Sequence, residues 1–208
     1  MCIRDSYQSE VSNTEVGLSL PYAASVVYVS ATNKVLMGGP GGLLSINVEN
    51  LDIDEIVIDS SVADLRIKQL KYINNDLYAV TEKNIYKSQD NGASWEKEER
   101  TGLPNDLFSI GFVNNVFVVG GGDGIYFRPV QQLGWTKTVN SDNPIEILID
   151  PDLIFAMVDG SLFFSADGIN YINAGKQSLD INVLAKYRSV VYAGTDTCLL
   201  YTSDAADE

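Results

Sequence analysis

An internal repeat of about 40 residues is the feature of this sequence that most constrains its fold. The stretch "NNDLYAVTEKNIYKSQDNGASWEKE" from Asn74 aligns with "NNVFVVGGGDGIYFRPVQQLGWTKT" from Asn114, which places Trp95 opposite Trp135 at a spacing of 40 residues. A further copy, "PDLIFAMVDGSLFFSADGINYIN", begins at Pro151. Self-similarity at a fixed period of this length is typical of proteins built from repeated supersecondary units.

Each repeat has the residue pattern of short β-strands. Apolar residues alternate with other residues in "SVVYVS", "DLYAV" and "VFVVG", and Gly, Asn and Asp bound these stretches. In the best-defined unit, the pattern predicts four strands over residues 66–73, 76–80, 84–88 and 94–98. No stretch has the periodicity of an amphipathic helix, so the sequence predicts an all-β protein.

A four-stranded unit repeated about every 40 residues is typical of a β-propeller blade. We expect a propeller fragment of about four four-stranded blades, which start near Ala23, Val62, Asp106 and Asn143, and a truncated fifth blade from Ile181. A jelly roll or a sandwich stays open as an alternative, although neither requires so regular a repeat. Residues 7–21 are expected to be an outer strand or a connection of a preceding blade, and the segment to be part of a larger ring.

The two ends of the sequence resemble translated DNA adapters rather than natural protein. The string "MCIRD" is similar to a translated transposase mosaic end used in sequencing-library preparation, and "CLLYTSDAADE" is similar to the reverse complement of that end continued into its adapter. We therefore expect residues 1–6 and 197–208 to be adapter-derived and residues 7–196 to be a partial propeller. Both cysteines, Cys2 and Cys198, fall in these ends.

Charge and composition exclude several classes of function. The chain carries 28 Asp and Glu against 14 Lys and Arg, for a formal net charge of −14, which disfavours binding to nucleic acid. It has no histidine, so a Ser-His-Asp triad and the usual zinc sites are excluded. No apolar run approaches the roughly 20 residues of a membrane-spanning helix. We predict no metal, no cofactor and no membrane span.

Two related motifs lie between predicted third and fourth strands, "SQDNGASW" at residues 88–95 and the one-residue-shorter "SADGINY" at residues 165–171. Asp can accept hydrogen bonds from nearby backbone N–H groups, Gly permits a positive φ, and the aromatic residue re-enters the sheet and buries apolar surface. We predict a structural role in the hairpin for Ser88, Asp90, Gly92, Trp95, Ser165, Asp167, Gly168 and Tyr171.

These motifs resemble the Asp-box, or bacterial neuraminidase repeat, of sialidase-like, sortilin-type and Ycf48-like propellers and of xyloglucan-degrading hydrolases. The resemblance implies that the box lies at the blade periphery, away from any catalytic face. The third unit keeps Trp135 but has Arg128 in place of the box Ser. A calcium-binding EF-hand is the competing interpretation, and it fails because Lys87 and Gln89 would occupy its first two ligand positions.

Four acidic residues recur in the loop between the second and third strands of successive units, namely Glu82, Asp123, Asp159 and Asp196. The repeat predicts that they share one face, around the mouth of the central channel, where they could bind a cation or a sugar. The simpler interpretation, which we prefer, is that Asp-Gly is a favoured hairpin turn.

The sequence thus favours a non-catalytic Asp-box propeller that presents its loops to a protein or glycan partner. The alternative is a glycoside hydrolase, sialidase-like or xyloglucanase-like, with catalytic residues partly in missing blades. Such an enzyme would bring carboxylates within about 5 to 10 Å of each other in a cleft. Because Asp-box families are often exported, the resemblance implies an extracellular or periplasmic location.

Overall fold

The structure, a computed structural model, describes residues 20, 22–62, 65–142, 147–150, 153–174, 181–187, 190–195 and 199–201. These residues form four four-stranded antiparallel sheets and one three-stranded sheet, with no helix in the described ranges. The all-β prediction is confirmed, as are the four complete units and the shorter fifth. Residues 7–19 and Asp196, which carried predictions above, lie outside the described residues.

The strands of the first two sheets are β1 Ser25–Val29, β2 Lys34–Gly39, β3 Gly42–Asn47 and β4 Ile53–Ile56, then β5 Ile67–Ile73, β6 Asp76–Thr81, β7 Ile85–Ser88 and β8 Glu96–Lys97. The next two sheets contain β9 Leu107–Val113, β10 Val116–Gly121, β11 Gly124–Pro129 and β12 Thr136–Asn140, then β13 Ile147–Asp150, β14 Leu153–Val158, β15 Ser161–Ser165 and β16 Ile172–Asn173. The last sheet contains β17 Ile181–Tyr187, β18 Val190–Thr195 and β19 Leu199–Tyr201, and β19 falls in the C-terminal stretch expected to be adapter-derived.

Every sheet is a meander in which strands neighbour each other in chain order. Since consecutive strands run in opposite directions, the hairpins between first and second strands and between third and fourth strands lie at one face of the molecule. We call this the upper face. The hairpins between second and third strands, and the connections from one sheet to the next, lie at the opposite face, which we call the lower face.

Successive sheets contact each other through their first strands. β1 contacts β5, β5 contacts β9, β9 contacts β13, and β13 contacts β17. The last strand of each four-stranded sheet lies at the far edge, and β8 is exposed at both of its residues, Glu96 and Lys97. The first strands are therefore innermost and the fourth strands outermost, which is the radial arrangement of propeller blades.

The hydrophobic core lies between the blades, in one layer for each neighbouring pair. In β6, Leu77 and Ala79 pack toward the first blade, whereas Tyr78 and Val80 pack toward the third. Successive side chains of a strand point to opposite faces of its sheet, so a strand covered on both faces must be apolar at consecutive positions. This explains why "DLYAV" is an almost unbroken apolar run.

The turns and strand ends of the second blade follow the sequence closely, with one difference. Asn74 and Asn75 form the two-residue turn between β5 and β6 with φ of 51° and 68°, values that favour Asn. The fourth strand, expected over residues 94–98, is limited to Glu96–Lys97. Its start was predicted wrongly because Ser94 is drawn into the preceding turn by hydrogen bonds to Asp90.

Candidate functional site

The hairpin of residues 88–95 joins β7 to β8 at the upper face and is organised around the carboxylate of Asp90. Ser88 Oγ donates to Asp90 Oδ1 at 2.8 Å, and the backbone N–H of Ser94 donates to the same oxygen at 2.8 Å. Ser94 Oγ donates to Asp90 Oδ2 at 2.5 Å, while the N–H of Gly92 donates to Ser88 Oγ at 2.8 Å. The charged side chain thus closes the turn from inside.

These hydrogen bonds also set the ionisation state of Asp90. Donation by the hydroxyl and then the backbone N–H of Ser94, with a further bond from Ser88, lowers the pKa of Asp90 to about 2. Hydrogen bonds to a carboxylate favour its charged form. Asp90 is therefore a carboxylate at neutral pH and has no proton to give.

The same hairpin docks onto the preceding blade. Gly92 has φ of 91°, and a β-carbon there would lie 2.8 Å from Leu36 Cδ1 in β2. The indole N–H of Trp95 donates to the carbonyl of Gly92 at 3.1 Å, and its ring packs against the core between the first two blades. Gly92 is needed both for the turn and for the close approach of the two blades.

The hairpin of residues 165–171 repeats this arrangement in the fourth blade. Ser165 Oγ donates to Asp167 Oδ1 at 3.0 Å, and the N–H of Gly168 donates to Ser165 Oγ at 2.9 Å. The N–H groups of Ile169 and Asn170 donate to Asp167 Oδ1 at 2.8 Å and 2.7 Å. Hydrogen bonds from the backbone and side chain of Asn170, the largest causes, hold the pKa of Asp167 well below its usual value.

This second hairpin also contacts the blade before it. A β-carbon on Gly168, whose φ is 74°, would lie 2.9 Å from Val118 Cγ2 of the third blade. The side-chain amide of Asn114, in the turn between β9 and β10, donates to the carbonyl of Ala166 at 2.6 Å. The ring of Tyr171 packs against the core between the third and fourth blades. Both motifs therefore occupy corresponding places at blade junctions.

The third blade, which lacks the motif, has a different junction that the sequence did not reveal. Arg128 Nη2 lies 3.0 Å from Glu98 Oε2, and its guanidinium group lies 5.2 Å and 4.9 Å from the ring centres of Phe117 and Trp135. The indole N–H of Trp135 donates to the carbonyl of Glu99 at 3.1 Å. An ion pair and cation–π contacts stand where the other hairpins have Ser and Asp.

The predicted acidic loop residues that the structure describes, Glu82, Asp123 and Asp159, lie in second-to-third-strand hairpins at the lower face. Asp123 accepts hydrogen bonds from Tyr126 Oη at 2.8 Å and from Lys137 Nζ at 2.6 Å. Burial acts in the opposite direction, but these bonds hold the pKa of Asp123 below its usual value.

The other two acids are engaged within or beside their own loops. Asp159 Oδ1 accepts from Ser141 Oγ at 2.9 Å and from the N–H of Asp142 at 3.1 Å. Glu82 is half-buried, and its backbone carbonyl accepts from the N–H of Leu107 at 2.8 Å. Within the described residues, no group of three His, Cys, Asp or Glu side chains could hold a metal ion.

A set of hydrogen bonds between the innermost strands joins consecutive blades, and the sequence did not predict it. Ser25 Oγ accepts from the N–H of Leu70 at 2.9 Å, and Gln69 Oε1 accepts from the N–H of Ile110 at 2.7 Å. Ser109 Oγ likewise accepts from the N–H of Ile147 at 3.2 Å. We call these three bonds the inner latches. Each supplies a partner for a backbone N–H on the unpaired edge of an innermost strand.

Comparison with known proteins shows the fold alone. No family model and no curated protein matches the chain. Among solved structures, the extracellular domain of BT4673 from B. thetaiotaomicron is similar at a TM-score of 0.73 and 20% identity, over 93% of this chain and 28% of that chain. YCF48 bound to D1 peptide is similar at a TM-score of 0.65 and 17% identity, over 92% of this chain and 68% of that one.

A third similar structure is PorZ, a surface component of the type-IX secretion system of Porphyromonas gingivalis. Its TM-score is 0.60 at 15% identity, over 81% of this chain and 23% of that chain. The chain thus spans less than a third of BT4673 and of PorZ. These similarities confirm the β-propeller fold. In the described part of the chain, no helix is long and apolar enough to cross a membrane.

Proposed function

We propose that the chain is part of a β-propeller that acts as a non-catalytic scaffold and presents its loops to a protein or glycan partner. In this proposal the hairpins of residues 88–95 and 165–171 are Asp-boxes with a structural role. Residues 7–196 are the propeller segment, and the two ends are adapter-derived. The partner binds away from the box turns, whose polar groups are already engaged with each other.

The observation that carries the proposal is the state of the carboxylates. The general acid of a glycosidase needs a raised pKa so that it holds a proton at neutral pH. Asp123, the predicted loop acid with a resolved shift, has a lowered pKa, and so have Asp90 and Asp167. Such carboxylates are suited to holding loops in shape and poorly suited to proton donation.

Similar structures support the binding role and a location outside the cytoplasm. One similar propeller is bound to a peptide, one is an extracellular domain, and one is a bacterial surface component. By analogy, we propose that this propeller is exported to the periplasm or the cell exterior and that its partner contacts the loops. Fold similarity at this level of identity is an argument by analogy.

Incubation of the full chain with chromogenic glycosides, including a sialoside and a xyloglucan oligosaccharide, tests this function. We expect hydrolysis no faster than in buffer, together with specific retention of at least one member of a peptide and glycan array. Hydrolysis that disappears in Asp123→Asn or Asp159→Asn, but persists in the matched surface variant Asp54→Asn, would contradict the proposal and favour a glycoside hydrolase.

A further inference from the structure

An open cavity of about 540 Å³ lies at the upper face between the first and second blades. The turn between β1 and β2 forms one wall, with Tyr28 at its edge. The turn between β5 and β6 and the hairpin of residues 88–95 form the other walls, with Tyr72, Asn74, Asn75 and Asn91. Its volume falls within the roughly 300 to 1,000 Å³ typical of small-molecule sites.

The junction between the third and fourth blades shows how such a cavity can be closed. There, the two-residue turn between β9 and β10 reaches the hairpin of the fourth blade through the bond from Asn114 to the carbonyl of Ala166. The turn between β1 and β2 is longer, and its Asn33 donates instead to Glu49 Oε1 at 3.0 Å. The first junction therefore stays open at the position where the third is bridged.

The ring of Tyr28 is held in place at the edge of this cavity although it is 53% exposed. Its hydroxyl donates to Asn33 Oδ1 at 2.8 Å, and Asn33 is in turn fixed by its bond to Glu49. Across the cavity, Tyr72 Oη lies 3.5 Å from Asn91 Oδ1. An exposed aromatic ring that is fixed before binding loses little conformational entropy when a ligand stacks on it.

The remaining polar groups of the cavity are neutral. Asn74 and Asn75 are exposed, and their side-chain amides form no hydrogen bond with the described part of the chain. Each amide offers two donors and an acceptor, which matches the mixed donor and acceptor character of sugar hydroxyls. No charged residue lines the cavity. Aromatic faces can cover the C–H faces of a pyranose ring, because tyrosine combines an apolar ring with a polar hydroxyl.

We propose that this cavity binds a neutral oligosaccharide, with the Tyr28 ring as the stacking platform and the amides of Asn74 and Asn75 as hydroxyl partners. The inference rests on the proposed function and assigns a site and a ligand class to its glycan partner. An uncharged ligand is favoured because the chain carries a net charge of −14 and the cavity offers no cation. The site is on the opposite face from Glu82, Asp123 and Asp159.

Saturation-transfer NMR and calorimetry of the full chain with cellohexaose, laminarihexaose and mannohexaose test the site. We expect at least one of these neutral probes to bind, and hexagalacturonate, which is anionic, not to bind. Tyr28→Ala should weaken binding about tenfold, the equivalent of about 1.4 kcal/mol. Asn33→Ala, which releases the ring without removing it, should weaken binding about threefold.

Tyr22→Ala is the matched control, because Tyr22 is 64% exposed just before β1, at the opposite end of that strand from the cavity. It should leave binding unchanged, and thermal melts should show that all three variants are folded. The site is contradicted if no neutral probe binds, or if Tyr28→Ala binds as tightly as the unaltered chain. Retention of a peptide without any glycan would overturn the site and leave the proposed function standing, whereas hydrolysis of a bound hexasaccharide would overturn the proposed function itself.

Discussion

Single carboxylates do much of the local work in this molecule, and Asp90 is the clearest case. Its two oxygens accept three hydrogen bonds, from Ser88 and from the backbone and side chain of Ser94. The sequence predicted that Asp90 would bond to backbone N–H groups of its own turn, because Asp, Gly and Ser occur there together. It placed the main acceptor contact two residues on, whereas the structure places it at Ser94, four residues on.

Replacement of Asp90 by Ala should lower the free energy of unfolding by about 1 to 2 kcal/mol at pH 7, since several turn donors lose their acceptor. Asp54→Ala is the matched control, because Asp54 is a mostly exposed acid in a 3.9 Å pair with Lys34. It should change stability by less than about 0.5 kcal/mol. Urea denaturation measures both, and equal effects would contradict the role of Asp90.

The effect of Asp90 should also depend on pH. Its folded-state pKa of about 2 is below the ordinary value near 3.9, so its contribution is fully present above about pH 4 and is lost as pH falls toward 2. The difference in stability between the unaltered chain and Asp90→Ala should therefore shrink between pH 5 and pH 2. Urea denaturation at these two pH values checks it, and a constant difference would show that the ionised form is not what closes the turn.

The hairpins between third and fourth strands are elements that dock one blade onto the blade before it. The sequence revealed their turn chemistry, because that chemistry is local. It could not reveal that Gly92 touches Leu36 or that Gly168 touches Val118, because these contacts join different sheets. For the same reason it missed the pair of Arg128 and Glu98, in which a cation from one blade meets an acid from the previous one.

Gly92→Ala should destabilise the chain more than Gly160→Ala does. Both glycines have a positive φ, 91° and 72°, but a β-carbon at Gly160 would meet nothing within 4 Å, whereas one at Gly92 would meet Leu36 at 2.8 Å. Gly160→Ala should cost about 1 kcal/mol for the backbone alone, and Gly92→Ala about 1 to 3 kcal/mol more. Equal losses in urea denaturation would show that the hairpin does not press on the first blade.

Arg128 and Glu98 should show energetic coupling when they are replaced together. Their side chains are 10% and 20% exposed, so Arg128→Met leaves Glu98 partly buried without its partner and should cost about 1 to 3 kcal/mol. Adding Glu98→Gln should recover at least about 1 kcal/mol of that loss. The exposed pair of Lys34 and Asp54 provides the comparison cycle, and its coupling should stay below about 0.5 kcal/mol. Similar coupling in the two cycles would contradict the structural role of Arg128.

At the scale of the whole molecule, the repeat predicted the blades, and the structure adds what joins them. The 40-residue period and the alternation of apolar residues were enough to predict four-stranded units in chain order. They could not predict the inner latches, because the acceptor is Ser25 in one blade, Gln69 in the next and Ser109 in the third. What these positions share is a place on the innermost strand, which no residue type marks.

The inner latches give the most direct test of the central claim that consecutive sheets are blades joined at their innermost strands. Amide hydrogen exchange can be measured by NMR in Ser25→Ala, Gln69→Ala and Ser109→Ala. Each variant should accelerate exchange at one amide in the following blade, at Leu70, Ile110 and Ile147 respectively, since each loses its acceptor. Unchanged exchange at these three amides, or acceleration spread evenly over all sheets, would contradict the account.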